Sequence, residues 1–343
     1  MNLRGLVKGL DDLYRNRHVQ LLLITQGQAA VEPVIEFLLG PPSSHAEPRC
    51  LAAEVLGIIG GDRAIEGLTQ ALTVNDVSSA GPAIQLAEET VRNWVTEQLG
   101  HLGDRGAIPA LLDSLTRYHL ANAATALAKF GVGEAVPDIV NLLEDDFIRD
   151  RLAVALRLFG RAAIPYLVET IWVKRYFDQE EHPASVRRRA CAARLLGEFH
   201  DSAANAALSG LLTDDAEPVR FEAALALLAQ GELEKPEQAV ELISVLLGAL
   251  DARDFDATLR CRDALCALGP AILSCLREVL AAGKVGQPSG VVAKLSDEAR
   301  LILIDCLASL GDSRAAEAIG PLLEDPDPWI RSRAGQALRL LRS

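Results

Sequence analysis

The sequence predicts an all-α fold, an α-solenoid of about nine helix pairs, and three observations support this prediction. Half of the residues are apolar while only 4% are aromatic, and Ala and Leu predominate, a composition typical of closely packed helices. Amphipathic segments such as GAIPALLDSL carry apolar residues at i, i+3, i+4 and i+7, the pattern of one buried helical face. A second, small-residue-rich segment follows each of them, and the pair recurs about every 35 residues.

The second segment of each pair, helix B, is marked by one arginine near its start. AEPRCLAAEVLGIIGGD from Ala46 and AEPVRFEAALALLAQGE from Ala216 share an acidic or proline-containing turn, then this anchor arginine, then a helix. The anchor arginines are Arg49, Arg92, Arg149, Arg189, Arg220, Arg260, Arg300 and Arg331. Leu120 takes the same position in the one stretch that lacks an arginine. A glycine eleven positions after most anchors predicts the end of the helix.

The first segment of each pair, helix A, carries a recurrent proline. This proline is found at Pro33, Pro109, Pro137 and Pro165. Because proline lacks a backbone N–H and disturbs the interior of a helix, its repetition predicts a shared kink in helix A.

The repeat resembles the HEAT family, in particular the bacterial form called PBS-lyase HEAT-like repeats. AIPALLDSL and PVRFEAALALLAQG in this chain are similar to the family patterns IPxLxxLL and VRxxAAxALGxLGD, and the resemblance runs from Gln28 to Leu341. It implies stacked helix pairs with helix B on the inner surface of a superhelix. The family includes scaffolds, assembly factors, chromophore lyases and enzymes, so the resemblance implies several possible functions.

One continuous array is expected from residue 28 to 343, capped by an amphipathic helical segment at 1–27. A single helix pair cannot bury both of its apolar faces, whereas stacked pairs form a continuous core that lengthens without becoming thicker.

Charge and cysteine content narrow the classes of partner and compartment. The net charge of −13 and the pI near 5.0 disfavour a nucleic-acid surface and favour a neutral or basic protein partner. We expect no membrane insertion, because no run approaches the roughly 18 apolar residues of a membrane helix, and no signal peptide is recognisable. Six scattered cysteines without a CxxC motif favour a reduced, cytoplasmic setting and packing as small apolar side chains.

Four turns between helices A and B are longer than the others and would project along one edge of the array. They begin at Pro41, Val74, Trp172 and Gly283. Such turns are either tolerated surface insertions or partner contacts. The strongest candidate for partner binding is the third, because aromatic and basic side chains are enriched in binding hot spots. Its candidate residues are Trp172, Lys174, Arg175, Tyr176 and Phe177.

A second candidate surface lies on helix B, one and five positions after the anchor. Most repeats have polar or mixed residues there, whereas two adjacent repeats have Phe221, Leu225, Cys261 and Leu265. If these side chains are exposed, they form an apolar protein-binding patch; the alternative is that a local twist of the array buries them.

The anchor arginines themselves have two interpretations. They could form an anion-binding column, but acidic residues precede several of them, for example Asp146 before Arg149 and Glu217 before Arg220. We therefore expect structural ion pairs that tie neighbouring turns together.

No catalytic, metal-binding or cofactor-binding residues are predicted. None of the six histidines precedes a glutamate, unlike the His-Glu pairs that HEAT-repeat hydroxylases use to bind iron, and no HExxH, P-loop, GxGxxG or GxSxG motif occurs. The sequence favours a non-catalytic scaffold or assembly factor that holds a protein partner on its concave helix B face and its A–B turns. The alternative, implied by the repeat subtype, is a phycobilin lyase of the E/F type or a subunit of one, so whether the chain is an enzyme stays open.

Overall fold

The computed structural model describes residues 2–231, 236–250, 253–286 and 292–342. In these residues the chain is an α-solenoid of nine A/B helix pairs, with two short β-hairpins. It divides into two compact units, residues 1–163 and 164–343. The expectation of one continuous array with a cap at 1–27 stays a prediction.

The first unit contains an N-terminal helical segment and four A/B pairs. Its α-helices are α1 (Leu3–Val7), α2 (Asn16–Thr25), α3 (Val31–Leu38), α4 (Glu47–Ile59), α5 (Asp62–Ala71), α6 (Pro82–Leu102), α7 (Ile108–Tyr118), α8 (Ala121–Phe130), α9 (Val136–Asn141) and α10 (Arg149–Phe159). Helix α2 packs on α4, and the B helices α4, α6, α8 and α10 pack on one another in chain order.

The second unit contains five A helices, five B helices and both hairpins. Its elements are α11 (Ile164–Thr170), β1 (Tyr176–Phe177), β2 (Glu180–Glu181), α12 (Pro183–Gly197), α13 (Ser202–Leu211), α14 (Glu217–Gln230), α15 (Pro236–Gly248), α16 (Phe255–Ala267), α17 (Leu273–Ala282), β3 (Lys284–Gly286), β4 (Val292–Lys294), α18 (Asp297–Ser309), α19 (Ala315–Ile319) and α20 (Pro328–Leu340). The B helices α12, α14, α16, α18 and α20 again pack in chain order.

The recurrent prolines lie at the start of an α-helix rather than at a kink in its middle. Pro109, Pro137 and Pro165 are each the second residue of their helix, and Pro33 is the third residue of α3. A short 3-10 turn precedes each of these helices. The first-turn N–H groups of a helix have no intrahelical partner, so proline costs little there. The predicted kink is thus a 3-10-to-α junction, with proline in the first α-turn.

The glycines after the anchors end helices as the spacing predicts. Gly103 and Gly131 both cap their helices in the left-handed region, with φ of 75° and 68°. Residues with a side chain rarely adopt this conformation, so glycine lets the chain turn sharply into the next helix A.

Within the described residues no single helix is both long and apolar enough to cross a membrane. Only Phe255–Ala267 and Gly269–Ala282 together reach that length and apolar composition, and the chain bends by 101° between them.

Candidate functional site

The lengthened turn between α11 and α12 forms a β-hairpin that carries aromatic side chains. Strands β1 and β2 pair antiparallel, with Tyr176 opposite Glu181. Between the strands, Asp178 and Gln179 have φ of 48° and 70°. Positive φ at both central residues is characteristic of a type I′ turn, whose twist matches that of a hairpin, although neither residue is the preferred glycine.

An ion-pair network centred on Arg189 fixes the hairpin to the second unit. The Arg189 side chain is fully buried; its Nη1 lies 2.7 Å from Oε2 of Glu181, and its Nη2 pairs with Asp214. Its Nε donates a hydrogen bond to the Ile171 carbonyl at 2.7 Å. Ser185 Oγ donates to the other Glu181 oxygen at 2.8 Å. The base of the hairpin is therefore held on helix α12 and on the turn before α14.

Three aromatic side chains of this segment are exposed. The exposed fractions are 49% for Trp172, 64% for Tyr176 and 70% for Phe177. The indole of Trp172 packs over Gly210 of helix α13, where a Cβ atom would lie only 2.8 Å from Cη2. Trp172 is therefore held in place, while Tyr176 and Phe177 extend further into solvent.

The two basic residues of this segment make contacts within the protein. Lys174 Nζ lies 3.1 Å from Asp215 and 3.7 Å from Asp214. The backbone N–H of Arg175 donates to Ser185 Oγ at 3.0 Å. The structure thus brings all five predicted residues together, with the aromatic rings outermost and the Lys174 charge paired.

The four side chains of the second candidate surface are buried, which is the alternative to an exposed patch that the sequence left open, so the patch is not formed. Phe221 and Leu225 are 4% and 8% exposed, and Cys261 and Leu265 are fully buried. Helix α14 packs against α12, α13, α15 and α16, so little of its surface reaches solvent. The four side chains belong to the apolar core of the second unit and offer no surface patch.

A groove that the sequence did not predict lies in the first unit, beside the turn between α5 and α6. Its volume is about 630 Å³. Asn75, Asp76 and Ser78 line it from the turn, and Arg117 and Tyr118 line it from the end of α7. The N–H of Ser78 donates to Asp76 Oδ1 at 3.0 Å, and the hydrogen bonds from Ser78 lower the pKa of Asp76, with a smaller contribution from the nearby charge of Arg92.

The anchor arginine Arg92 forms one wall of this groove. It is 5% exposed, and its guanidinium lies over the ring of Tyr118, 4.0 Å from the centroid. Nη2 donates to the Asn75 carbonyl, whereas Nε is buried without a hydrogen-bond partner. In the described part of the chain no carboxylate lies within ion-pairing distance of Arg92.

Three of the four other buried anchor arginines have carboxylate partners in a neighbouring pair; the fourth, Arg220, instead donates to the backbone carbonyls of Asp214 and Asp215. Arg49 pairs with Glu88, Arg189 with Asp214, and Arg300 with Asp325. Among the rest, Arg260 forms two hydrogen bonds to Glu222 at 2.8 and 2.6 Å, Arg149 pairs with Asp146, and Arg220 Nη2 lies 3.9 Å from Glu217. Arg331 is exposed and donates to the carbonyls of Asp325 and Pro326.

Thiols and imidazoles do not assemble into a site in the described residues. No group of three or more His, Cys, Asp or Glu side chains there could hold a metal ion, and no disulfide is present. Five cysteines are buried and Cys266 is partly exposed. The Sγ atoms of Cys266 and Cys306, on neighbouring B helices, lie 3.3 Å apart.

The model of the PBS lyase HEAT-like repeat matches residues 48–73, 91–117 and 120–145. Each match runs from a B helix into the A helix that follows it, all in the first unit, and the second match begins within α6. These three stretches are therefore repeats of that family. No curated protein matches the chain.

Several solved structures are similar to the chain at low identity. The CpcE–CpcF complex of phycocyanin lyase from Nostoc sp. PCC7120 is 21% identical, covers 73% of this chain and 95% of its own, and has a TM-score of 0.35. Human deoxyhypusine hydroxylase is 16% identical over 94% of this chain and 98% of its own, with a TM-score of 0.29. For Kap121p bound to Nup53p the identity is 13%, the coverage 99% of this chain and 45% of the other, and the TM-score 0.49.

Proposed function

We propose that this chain, with its PBS lyase HEAT-like repeats, is a non-catalytic cytoplasmic scaffold or assembly factor that holds a protein partner. The observation that carries the proposal is the hairpin at β1 and β2, where exposed Tyr176 and Phe177 stand on a network fixed by buried Arg189. Large aromatic side chains contribute much of the energy of protein interfaces. A rigid support lowers the entropy lost on binding.

The surface of the B helices supplies the remaining contacts in this proposal. In the second unit, Arg333 Nε and Nη2 pair with both oxygens of Asp305 at 2.5 and 2.7 Å. This pair and Gln336 line a groove of about 270 Å³ between neighbouring B helices. With a net charge of −13, the scaffold favours a partner that is neutral or basic overall.

The test compares two sets of exposed aromatic residues. The double variant Tyr176→Ser/Phe177→Ser removes the tip of the hairpin, and Phe147→Ser removes an equally prominent ring, 96% exposed, from an A–B turn of the first unit. Tagged wild type and both variants are used for quantitative pull-down from the native host, followed by mass spectrometry. The strongest partner is then purified for titration.

We expect the double variant to bind the purified partner at least about tenfold more weakly than the wild type does. This corresponds to a loss of about 1.4 kcal/mol in binding free energy. The Phe147→Ser variant should bind as the wild type does. Equal affinity for wild type and a folded double variant would contradict the proposal, as would the absence of any protein enriched over a tag-only control.

A second candidate function is that of a phycobilin lyase or a subunit of one. One observation favours it, namely that three stretches of the chain match the PBS lyase HEAT-like repeat. It predicts that the purified chain binds a free bilin and transfers it to a phycobiliprotein subunit. Absorption spectroscopy of the chain mixed with phycocyanobilin, with serum albumin as a control for unspecific uptake, distinguishes the two functions.

A further inference from the structure

Arg92 is a buried cation whose hydrogen-bonding capacity is largely unused. A guanidinium has five N–H donors. For Arg92 only the Nη2 bond to the Asn75 carbonyl is made, and Nε is buried without a partner. A buried charge without a directly bonded counter-charge is unfavourable, and the ring of Tyr118 and the nearby charge of Asp76 offset this only in part. The side chain is therefore ready to accept an anion.

The repeat itself shows which anion fits this position. Arg189 pairs with Asp214, and Arg300 pairs with Asp325; each aspartate lies 25 residues further on, in the A–B turn of the next pair. After Arg92 the corresponding turn reads Arg-Tyr-His-Leu and contains no acidic residue. The residue 25 positions after Arg92 is Arg117, and the ring of Tyr118 packs on the guanidinium. This position therefore lacks the carboxylate that Arg189 and Arg300 have.

The groove leaves room for that carboxylate to come from another molecule. Its volume of about 630 Å³ is adjacent to Arg92, with Arg117 on the rim. Asp76 and Glu89 also line the groove. Their charges disfavour a doubly charged phosphate more than a singly charged carboxylate, since repulsion grows with the charge of the ligand.

The surroundings favour a carboxylate carried by a polypeptide. Val74 and Leu86 are 49% and 66% exposed, and each is next in sequence to a residue that lines the groove. A small carboxylic acid bound at Arg92 would leave both side chains uncovered. An acidic residue between apolar residues of a partner segment could cover them.

We propose that the groove beside Arg92 binds an aspartate or glutamate side chain, flanked by apolar residues, of the protein partner. This inference rests on the proposed function, because the occupant is a segment of that partner. One local carboxylate is compatible with a partner that is neutral or basic overall.

The probe is a blocked, fluorescein-labelled pentapeptide with glutamate at its centre and leucine on both sides, and its glutamine counterpart is the control. Fluorescence anisotropy measures the binding of both peptides to the full-length chain at low salt. We expect the glutamate peptide to bind about tenfold more tightly than the glutamine peptide. Equal binding of the two peptides, or no binding, would overturn the inference, and this comparison needs no variant.

A pair of substitutions at Tyr118 then locates the site. Tyr118→Glu supplies the missing carboxylate from within the chain, whereas Tyr118→Gln removes the ring without adding charge. We expect Tyr118→Glu to reduce the preference for the glutamate peptide about tenfold relative to Tyr118→Gln. Circular dichroism confirms folding of both. Equal preference in two folded variants would place the peptide elsewhere and overturn the inference.

Competition identifies the source of the anion. If glutarate displaces the peptide at a concentration equal to that of the peptide, the groove binds small carboxylic acids. This result would overturn the inference that the occupant is a segment of the protein partner. Stronger competition by inorganic phosphate than by glutarate would overturn the carboxylate assignment. The pull-down tests the hairpin, which lies in residues 164–343, whereas these titrations test the groove, which lies in residues 1–163. One proposal can therefore fail while the other holds.

Discussion

Arg49 and Glu88 form a buried ion pair that joins the neighbouring B helices α4 and α6. Arg49 Nη1 pairs with Oε2 of Glu88, Nη2 lies 3.3 Å from Oε1, and Nε donates to the Leu38 carbonyl at 2.8 Å. The side chains are only 7% and 0% exposed, so water cannot replace either partner. Breaking such a pair leaves an uncompensated charge in the core.

We predict that Glu88→Gln lowers the free energy of unfolding by about 3 kcal/mol, because the neutral amide leaves the Arg49 charge buried and unpaired. Urea unfolding followed by circular dichroism measures the change. Glu89→Gln is the matched control: Glu89 is exposed on the same helix, and its substitution should change stability by less than about 0.5 kcal/mol. Similar effects at both positions would contradict a structural role for this pair.

Much of the fold could be predicted from the sequence because the repeat pattern is physically redundant. The apolar period, the glycine after each anchor and the acidic or proline-containing turn all indicate the same helix pair. Gly103 and Gly131 take the positive φ that their position requires. The hairpin at β1 and β2 was not predicted, since its strands have two residues each and its turn, Asp178-Gln179, lacks the Asn-Gly signal.

The candidate sites could be predicted less well, because they depend on packing between pairs. Whether Phe221 is exposed is decided by the helices around α14, which its own helical period does not reveal. The groove at Arg92 does not follow from the acidic residues just before the anchors, which are the pattern that predicts the ion pairs. The signal was in the sequence nonetheless: Asp214 and Asp325 each lie 25 residues after an anchor, and the turn at Tyr118 has no acid.

Two helical glycines of the second unit should respond oppositely to alanine. A Cβ at Gly197 would lie 2.4 Å from Cβ of Ala226 and 3.1 Å from its Cα, whereas a Cβ at Gly335 would meet only Leu323 Cδ2 at 3.8 Å. We predict that Gly197→Ala destabilises the chain by about 2 kcal/mol through overpacking of α12 against α14. Gly335→Ala should stabilise it by up to about 1 kcal/mol through helix propensity. Thermal and urea unfolding test both, and a stable Gly197→Ala variant would disprove the close approach.

Thiol reactivity should follow burial. Burial raises the pKa of Cys50 and of Cys261 to about 12. At about pH 8 only about one molecule in 10⁴ therefore carries either thiolate, the reactive form. We predict that iodoacetamide modifies Cys266, which is partly exposed, long before Cys50 or Cys261. Peptide mass spectrometry locates the label, and unfolding in concentrated guanidinium chloride should make all six cysteines reactive. Early labelling of Cys261 in the folded chain would show that its helix opens readily.

The turn of the hairpin should become more stable when glycine replaces Gln179. This residue has a φ of 70°, a conformation that costs a residue with a Cβ atom about 1 kcal/mol relative to glycine. Because Glu181 ties the hairpin to buried Arg189, unfolding of the second unit should release this strain. We therefore predict that Gln179→Gly raises the free energy of unfolding. Relief of the strain contributes about 1 kcal/mol, and the greater conformational entropy of glycine in the unfolded chain reduces this gain. Gln179→Ala keeps the Cβ atom and should give no gain, so equal urea midpoints for the two variants would show that the turn is unstrained. Since Tyr176 and Phe177 are unchanged, Gln179→Gly should also bind the partner as the wild type does.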